Sequence, residues 1–538
     1  MQSSKHHKLA HGCVALGVAA VCGLAAVVGA ATAPDPAHGA ARPARPPNIV
    51  LVQTDDQTVG QLTWQAMPKT KRLLTRHGTT FNDYMATTAE CCPSRASLLT
   101  GQYAHNHGIF SSGRGEGYPR LIDKGNVLPV WLQAAGYHTI HVGKFMNHYQ
   151  QGVPDRTEVA PGWDDWQTTL SGVRYYNYGL SNNGKLVHYG DEDSDYVTRV
   201  LTRKSVNAVR KYAPDKKPFY LQVDQRAPHT AIGNRPGRCG GGDRAPFAEP
   251  DPTDIDRFRS AKVPRPPSYN EDNLSDKPEF LRGTRRLDFS RRRRIRAKWR
   301  CALATLAGVD RSVARIYKAV DDAGELRRTA FIFIGDNGLF YGEHRIEGGK
   351  VLPYEEALRQ PLIVSLPKRF REGGVRRTVG EPVANIDLAP TILALAHGRS
   401  CTPQASCRTM DGRSLMPLLT GGGHWPNDRM LLTEYRSPAP DRHKTCNFAG
   451  VRTPRTIYVE HYSVGDPTTG QCQATLQVER YDLQSDPYEL ENRCFGGLPT
   501  SCPKSQRQVE LEQELQQMRN CAGVKGRDQR VGGRPYCG

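Results

Sequence analysis

The chain has 538 residues, of which 38% are hydrophobic, 24% charged and 8% aromatic. That apolar content supports a sizeable core and excludes wholesale disorder, and 52 Gly and 38 Pro scattered without a period exclude a collagen-like or low-complexity chain. The formal net charge of +19 points to an anionic partner, and the 14 Cys point to an oxidising compartment or to metal sites.

The first element sets the compartment. Lys5, His6, His7 and Lys8 precede an almost wholly apolar run from Gly12 to Thr32, and Ala31-Thr32-Ala33 offers a small-residue cleavage pattern. Residues 1–33 therefore read as a secretory signal peptide, and residues 34–47 as a flexible Pro/Ala-rich lead to a secreted, extracellular protein. The other reading is an uncleaved membrane anchor, since a run of about 20 apolar residues is long enough to span. Its wealth of Ala and Gly favours cleavage, so no stable membrane partner is expected. Cleavage removes Lys5 and Lys8 and no acid, which lowers the charge from +19 to +17, and it removes Cys13 and Cys22.

Downstream, short apolar runs alternate with helical periodicity. Asn48-Ile-Val-Leu-Val52, His138-Thr-Ile-His-Val142, Phe219-Tyr-Leu-Gln-Val223, Ala330-Phe-Ile-Phe-Ile334 and Pro361-Leu-Ile-Val364 read as strands buried on both faces. Helical spacing fits residues 126–135, 196–212, 297–323 and 388–396. This alternation predicts an α/β fold, with a large, mostly parallel central sheet sandwiched by helices. Ligands in such sheets bind beyond the carboxyl ends of the strands, and four of those ends carry Asp, Lys, His or Asn. Residues 48–400 are expected to form this catalytic domain, interrupted at about 233–298 by a Pro-, Gly- and Arg-rich insertion that contains Arg291 to Arg294. The insertion reads either as a solvated loop or as a polyanion-binding patch. No nucleic-acid module is recognisable, and the secreted context argues against nucleic acid.

Residues 401–538 are expected to form a smaller α+β subdomain, an antiparallel sheet with a helix at 506–519. Its cysteines lie close in sequence, as Cys401 and Cys407, Cys446 and Cys472, Cys494 and Cys502, and Cys521 and Cys537. Disulfide staples follow, with the connectivity left open. No spacing is C-x-x-C, so zinc is a poor reading of these cysteines. Four cysteines are left over from these close pairs: Cys92, Cys239, Cys301 and, first in the chain, Cys91.

That residue opens the most specific segment, Cys91-Cys-Pro-Ser-Arg-Ala-Ser-Leu-Leu-Thr-Gly101, which resembles the sulfatase signature C-x-P-S-R with its Leu/Thr/Gly tail. The resemblance extends through Asp55-Asp56, Gly143-Lys144, Ala227-Pro228-His229, Gly335-Asp336-Asn337-Gly338, Gly342-Glu343-His344 and Gly349-Lys350 to Tyr481-Asp-Leu-Gln-Ser-Asp-Pro-Tyr-Glu489. Lys144-Phe-Met-Asn-His-Tyr149 and Pro161-Gly-Trp163 look most like the N-acetylglucosamine-6-sulfatase branch, beside arylsulfatases, within the alkaline phosphatase superfamily.

The resemblance implies that Cys91 is converted to 3-oxoalanine (formylglycine) by a formylglycine-generating enzyme, and that its hydrated aldehyde is the nucleophile. It implies one Ca²⁺ per chain, held by Asp55, Asp56, Asp336, Asn337 and the modified Cys91, a hard-oxygen set. It implies that Arg95 holds the nucleophile, that Lys144 and Lys350 bind sulfate oxygens, and that His229 serves the leaving oxygen. His344 and Asn147 are possible substrate-binding residues. Many sulfatases carry His two residues after the first site Lys, whereas Met146 stands here and Asn147 or His148 is left to substitute. The expected activity is hydrolysis of a sulfated saccharide or an aryl sulfate ester. The alternatives are a phosphonate or phosphate monoester hydrolase with the same site, and a non-catalytic polyanion-binding protein in which Cys91 stays a thiol.

Overall fold

The apolar run after Pro47 becomes the strand Asn48–Thr54, buried at all seven positions. Side chains alternate across a strand, so Val50 and Val52 enter one core and Ile49 and Leu51 the other. A strand with two apolar faces needs cover on both sides. The computed structural model describes residues 45–538 apart from 114, 153–154, 171–173, 232–246, 372–373, 375–376, 422, 427 and 467. The expected signal peptide, most of the lead and the start of the insertion lie outside the described residues.

The central sheet has ten strands, in the order Thr378–Val379, Thr79–Phe81, Leu362–Ser365, Thr329–Gly335, Asn48–Thr54, Phe219–Asp224, His138–Gly143, Asp165–Thr169, Tyr178–Asn182 and Lys185–Tyr189. The five strands from Thr329–Gly335 to Asp165–Thr169 are mutually parallel, as expected. Leu362–Ser365 runs antiparallel to both its neighbours, and the last two strands form an antiparallel hairpin at the edge.

Helices Val197–Tyr212 and Phe289–Asp322 cover one face through Leu201, Val209, Leu306 and Val313. Helices Cys91–Thr100, Leu128–Ala134 and Leu388–Ala396 cover the other through Leu98, Trp131 and Ile392. The long helix corrects one expectation. It begins at Phe289, not at 297, and takes in Arg291 to Arg294, because the Asp288 side chain caps it by accepting from Arg291 N. Arg294 then pairs with Glu347 at 2.6 Å, so part of the basic run is helix rather than loop.

Strands Leu431–Arg436, Thr445–Arg452, Thr456–Gly465 and Cys472–Asp482 form a separate four-stranded antiparallel sheet. Helix Gln506–Met518 buries Leu511, Leu515 and Met518 in the same cluster as Phe448 and Val451. Disulfides join Cys401–Cys407, Cys446–Cys472, Cys494–Cys502 and Cys521–Cys537, the close pairs of the sequence. Cys301, left over in the sequence reading, is also disulfide-bonded. Cys91 and Cys92 are the free cysteines among the described residues. No helix among the described residues is long and apolar enough to cross a membrane.

Candidate active site

Parallel pairing brings the chemistry to one end of the sheet. Thr54 is in register with Gly335, so Asp55-Asp56 and Asp336-Asn337 leave adjacent strands side by side. Asp336 N donates to Thr54 O at 3.0 Å, and Asp56 N donates to Asp336 Oδ1 at 3.0 Å. Asp56 sits in the left-handed region, with φ 65°, which turns its carboxylate back into the site. Gly143 ends the strand His138–Gly143, one beyond Phe219–Asp224, at φ 123°, where a Cβ would lie 2.0 Å from Asp224 O. Only glycine permits that approach, and it delivers Lys144, whose N donates to the same carbonyl at 2.9 Å.

Cys91 is the first residue of the helix Cys91–Thr100, which is buried along its whole length and ends at Gly101 in a left-handed cap. The positive end of the helix therefore faces the acidic pair. Cys91 Sγ lies 3.2 Å from Asp55 Oδ1 and 3.9 Å from Asp56 Oδ1, and Lys350 Nζ lies 2.7 Å from the same sulfur. Lys350 also donates to Asp56 Oδ1, and Lys144 Nζ reaches Asp55 Oδ2 at 2.6 Å. One turn along the helix, Arg95 donates to Asp336 Oδ2 at 2.9 Å and to Lys144 O at 2.8 Å. His229 Nε2 stands 3.6 Å from Asp56 Oδ2, while its Nδ1 is 2.6 Å from Thr230 O. Asn337 Nδ2 donates to Asp56 Oδ1 at 2.7 Å.

The electrostatics follow from burying three cations, Arg95, Lys144 and Lys350, and the His229 ring with three carboxylates. Burial opposes the Asp55 charge, but Lys144, His229, Arg95 and Lys350 outweigh it and hold its pKa well below the usual range. Burial likewise opposes the Lys350 ammonium, and the carboxylates, Asp56 first and then Asp55, hold its pKa well above the ordinary lysine value. Burial, then the Asp55 charge, push the Cys91 thiol well up, so it is protonated near neutral pH. Burial pushes Asp336 up to about 6, with Asp55 adding to the rise.

Ligand-type atoms of Asp55, Asp56, Cys91 and His229 lie within 4.8 Å of one another. Asn337 Oδ1 is buried and without a hydrogen-bond partner. An orphaned amide oxygen among carboxylates is a donor set for a hard cation, so the residues present fit Ca²⁺.

Ten of the eleven residues singled out from sequence lie in this region. Asn147 is half-buried in the loop after Lys144, with Oδ1 unpaired, and its backbone O is 3.9 Å from Cys92 Sγ. His344 is the exception: it is fully buried, and its ring contacts Glu271 and Tyr354 instead. The site also holds residues the sequence reading missed. A Cβ on Gly348 would lie 2.4 Å from Lys298 Nζ, and one on Gly349, at φ 106°, would lie 2.3 Å from His443 Nε2. These side chains thus crowd the turn that carries Lys350. Burial pushes Lys298 down to about 8, against Asp56 and with Arg442 and Lys350, and burial beside Arg442 pushes His443 down to about 3. Lys298 falls at the end of the basic insertion, read as a solvated loop or a polyanion-binding patch, so nothing in its spacing marks it.

Two family matches cover this architecture. Residues 47–398 match the family described as Sulfatase, and residues 342–520 match the one described as N-sulphoglucosamine sulphohydrolase, C-terminal. The chain belongs to the sulfatase family. Among sulfatases, it is 30% identical over 533 residues to N-acetylglucosamine-6-sulfatase of Capra hircus, spanning 92% of this chain and 87% of the goat protein. With the human enzyme of the same name it is 32% identical over 493 residues, 84% of this chain and 82% of that one. The extracellular sulfatase SULF-1 homolog of Drosophila melanogaster is 32% identical over 73% of this chain, but the match spans only 33% of the fly protein. The match to the putative Caenorhabditis elegans extracellular sulfatase Sulf-1 homolog spans 49% of that protein.

Solved structures share the sulfatase fold. One, in complex with its substrate D-glucosamine-2-N,6-O-disulfate, superposes with a TM-score of 0.65 at 23% identity, covering 88% of this chain and 97% of that one. The phosphonate monoester hydrolase of Agrobacterium radiobacter gives 0.62 at 21% identity, covering 83% and 91%.

Proposed function

We propose that this sulfatase is secreted and removes sulfate from a 6-O-sulfated glucosamine residue of a saccharide, with Cys91 matured to formylglycine and one Ca²⁺ held by Asp55, Asp56, Asp336 and Asn337. The observation that carries this reading is the position of Cys91 Sγ, between Asp55 Oδ1 at 3.2 Å and Lys350 Nζ at 2.7 Å. A nucleophile placed there meets an anion already facing ammonium groups. The relatives named N-acetylglucosamine-6-sulfatase, and the glucosamine disulfate bound by a protein of the same fold, support the choice of sugar.

Each residue's part follows from its place. When present, Ca²⁺ and the hydrated aldehyde would supply, respectively, charge neutralisation of the sulfate and an oxygen nucleophile. Lys144 and Lys350 bind the sulfate oxygens and stabilise the charge that builds on them. Arg95 is locked on Asp336 and on the Lys144 backbone, so it holds the floor of the site rigid. His229 Nδ1 donates to Thr230 O, which directs Nε2 into the site, where the imidazolium form of the ring hands a proton to the departing sugar oxygen. Lys298 and Arg442, which crowd the Gly348-Gly349 turn, extend the cationic surface and favour a polyanionic substrate.

The test is sulfate release from a panel of defined sulfated saccharides, using protein whose Cys91 conversion has been verified. Release from 6-O-sulfated glucosamine, abolished in Cys91→Ala, is expected. Faster turnover of aryl phosphonates than of every sulfate would favour the phosphonate hydrolase reading. Full turnover by Cys91→Ala would sink both.

A further inference from the structure

A second convergence of ligand-type atoms lies apart from Cys91, where the segment after Gly338 meets the segment after the strand Cys472–Asp482. His344, Glu356 and Glu489 each offer one such atom, and the three lie within 4.8 Å of one another. In each residue the other polar atom is already engaged. His344 Nδ1 is 2.7 Å from Glu271 Oε2, Glu356 Oε1 accepts from Ser268 Oγ at 3.1 Å, and Glu489 Oε2 accepts from Glu355 N at 2.9 Å. The atoms left over are His344 Nε2, Glu356 Oε2 and Glu489 Oε1, and each is buried without a hydrogen-bond partner. His344 and Glu489 are fully buried, and His344 Nε2 faces Glu356 Oε2 at 3.8 Å.

In the neutral ring, with the Nδ1 proton given to Glu271, His344 presents a lone pair at Nε2. These three buried atoms face one another with no hydrogen bond to any of them, an arrangement that buried polar groups avoid unless a proton or a cation occupies the centre. Two carboxylates match the charge of a dication. An imidazole nitrogen selects a borderline transition metal over Ca²⁺ or Mg²⁺. A histidine whose far nitrogen is held by a carboxylate is a recurrent support of such sites, because the hydrogen bond fixes both the tautomer and the ring orientation. Glu271, which holds the His344 ring, also lines a cleft of about 800 Å³ together with Asn270, Asp276, Leu490 and Asn492.

We propose that His344 Nε2, Glu356 Oε2 and Glu489 Oε1 form a structural binding site for a divalent transition metal of the zinc class. The ion clips the segment that carries Lys350 to the C-terminal segment at Glu489, while Glu271 and Ser268 orient the ligands from a third. It is separate from the cluster around Cys91 and shares no residue with it.

The test uses the full chain and Zn²⁺ as the probe. Crystals of the unsubstituted protein soaked in Zn²⁺ are measured at the zinc absorption edge. An anomalous peak about 2.0–2.2 Å from His344 Nε2 and from one oxygen of each glutamate is expected. In solution, chelator-stripped protein carrying Asp55→Asn and Asp56→Asn, which disables the other cluster, takes up one zinc per chain by elemental analysis. Adding Glu489→Gln or His344→Gln removes that zinc. Absence of the anomalous peak in the unsubstituted protein overturns the proposal and leaves Glu356 and Glu489 sharing a proton instead. Undiminished zinc uptake by both further-substituted proteins overturns it as well. The crystal measurement stands even where a substituted chain fails to fold.

Discussion

Lys350 Nζ lies 2.7 Å from Cys91 Sγ while also donating to Asp56 Oδ1. One ammonium thus bridges the cysteine proposed for modification and a candidate metal ligand. Replacement by Met keeps most of the volume and removes the charge. Turnover of a sulfated substrate should fall by ~10²–10³-fold, the effect of deleting one group that stabilises developing charge. The melting temperature should change little, because Asp56 keeps Asn337 as a donor. Steady-state kinetics with a parallel thermal melt decide it, and unchanged turnover would remove Lys350 from the site.

Cys91 and Cys92 are adjacent, buried and free, yet the geometry separates them. Cys91 points at Asp55 and Lys350, whereas Cys92 Sγ faces the Asn147 carbonyl at 3.9 Å. As a plain thiol Cys91 would be a poor nucleophile, since burial and Asp55 keep it protonated. Peptide mass spectrometry on natively produced protein should show one oxygen in place of one sulfur and two hydrogens at Cys91, with Cys92 unchanged. Cys92→Ala should retain most turnover, and Cys91→Ala none. An intact Cys91 thiol in active protein would contradict the proposed chemistry.

Arg452 ties the small sheet to Glu355, at the start of a short helix, and to Asp83, in the loop after the strand Thr79–Phe81. Its Nε and Nη2 donate to the two Glu355 oxygens at 2.7 and 2.8 Å, and Nη1 donates to Asp83 at 2.8 Å. Burial opposes the charge, and the two acids hold it in place. Removing one partner of such a group leaves buried carboxylates unpaired, so Arg452→Ala should cost about 3–5 kcal/mol in denaturant unfolding. A loss below 1 kcal/mol would mean that water or a rearranged side chain replaces the guanidinium there.

The central strands were legible because a strand buried on both faces must be apolar at every position, as Asn48–Thr54 and Thr329–Gly335 nearly are. The edge hairpin was not. Lys185–Tyr189 is mostly exposed and carries no apolar run, and its sole signal was the Asn183-Gly184 turn, with φ 50° and 84°, a pair suited to a tight hairpin. Site residues at strand ends were found because the family motifs mark them. Lys298 was invisible because its meeting with the Gly348-Gly349 turn depends on the tertiary course of a 34-residue helix. The environment of His344 was equally hidden, since Glu271 and Glu489 approach it from distant parts of the chain.

His105 gives a pH dependence independent of catalysis. Its Nδ1 is 2.8 Å from Glu434 Oε1, and its Nε2 is 3.0 Å from the Cys521 carbonyl, so the charged ring bridges the small sheet and the C-terminal segment. Burial disfavours the charge, but Glu434 outweighs burial and raises the pKa to about 9. The folded pKa thus lies above the ordinary histidine value of about 6.5, and the sign follows from linkage. The contribution is fully present below about pH 6.5 and is lost as pH rises through about 9. Thermal melts between these limits should show stability falling with pH, and His105→Gln should flatten that fall while lowering stability at the acidic end. An equal slope in both proteins would show that the imidazolium does not bridge Glu434 and Cys521 in solution.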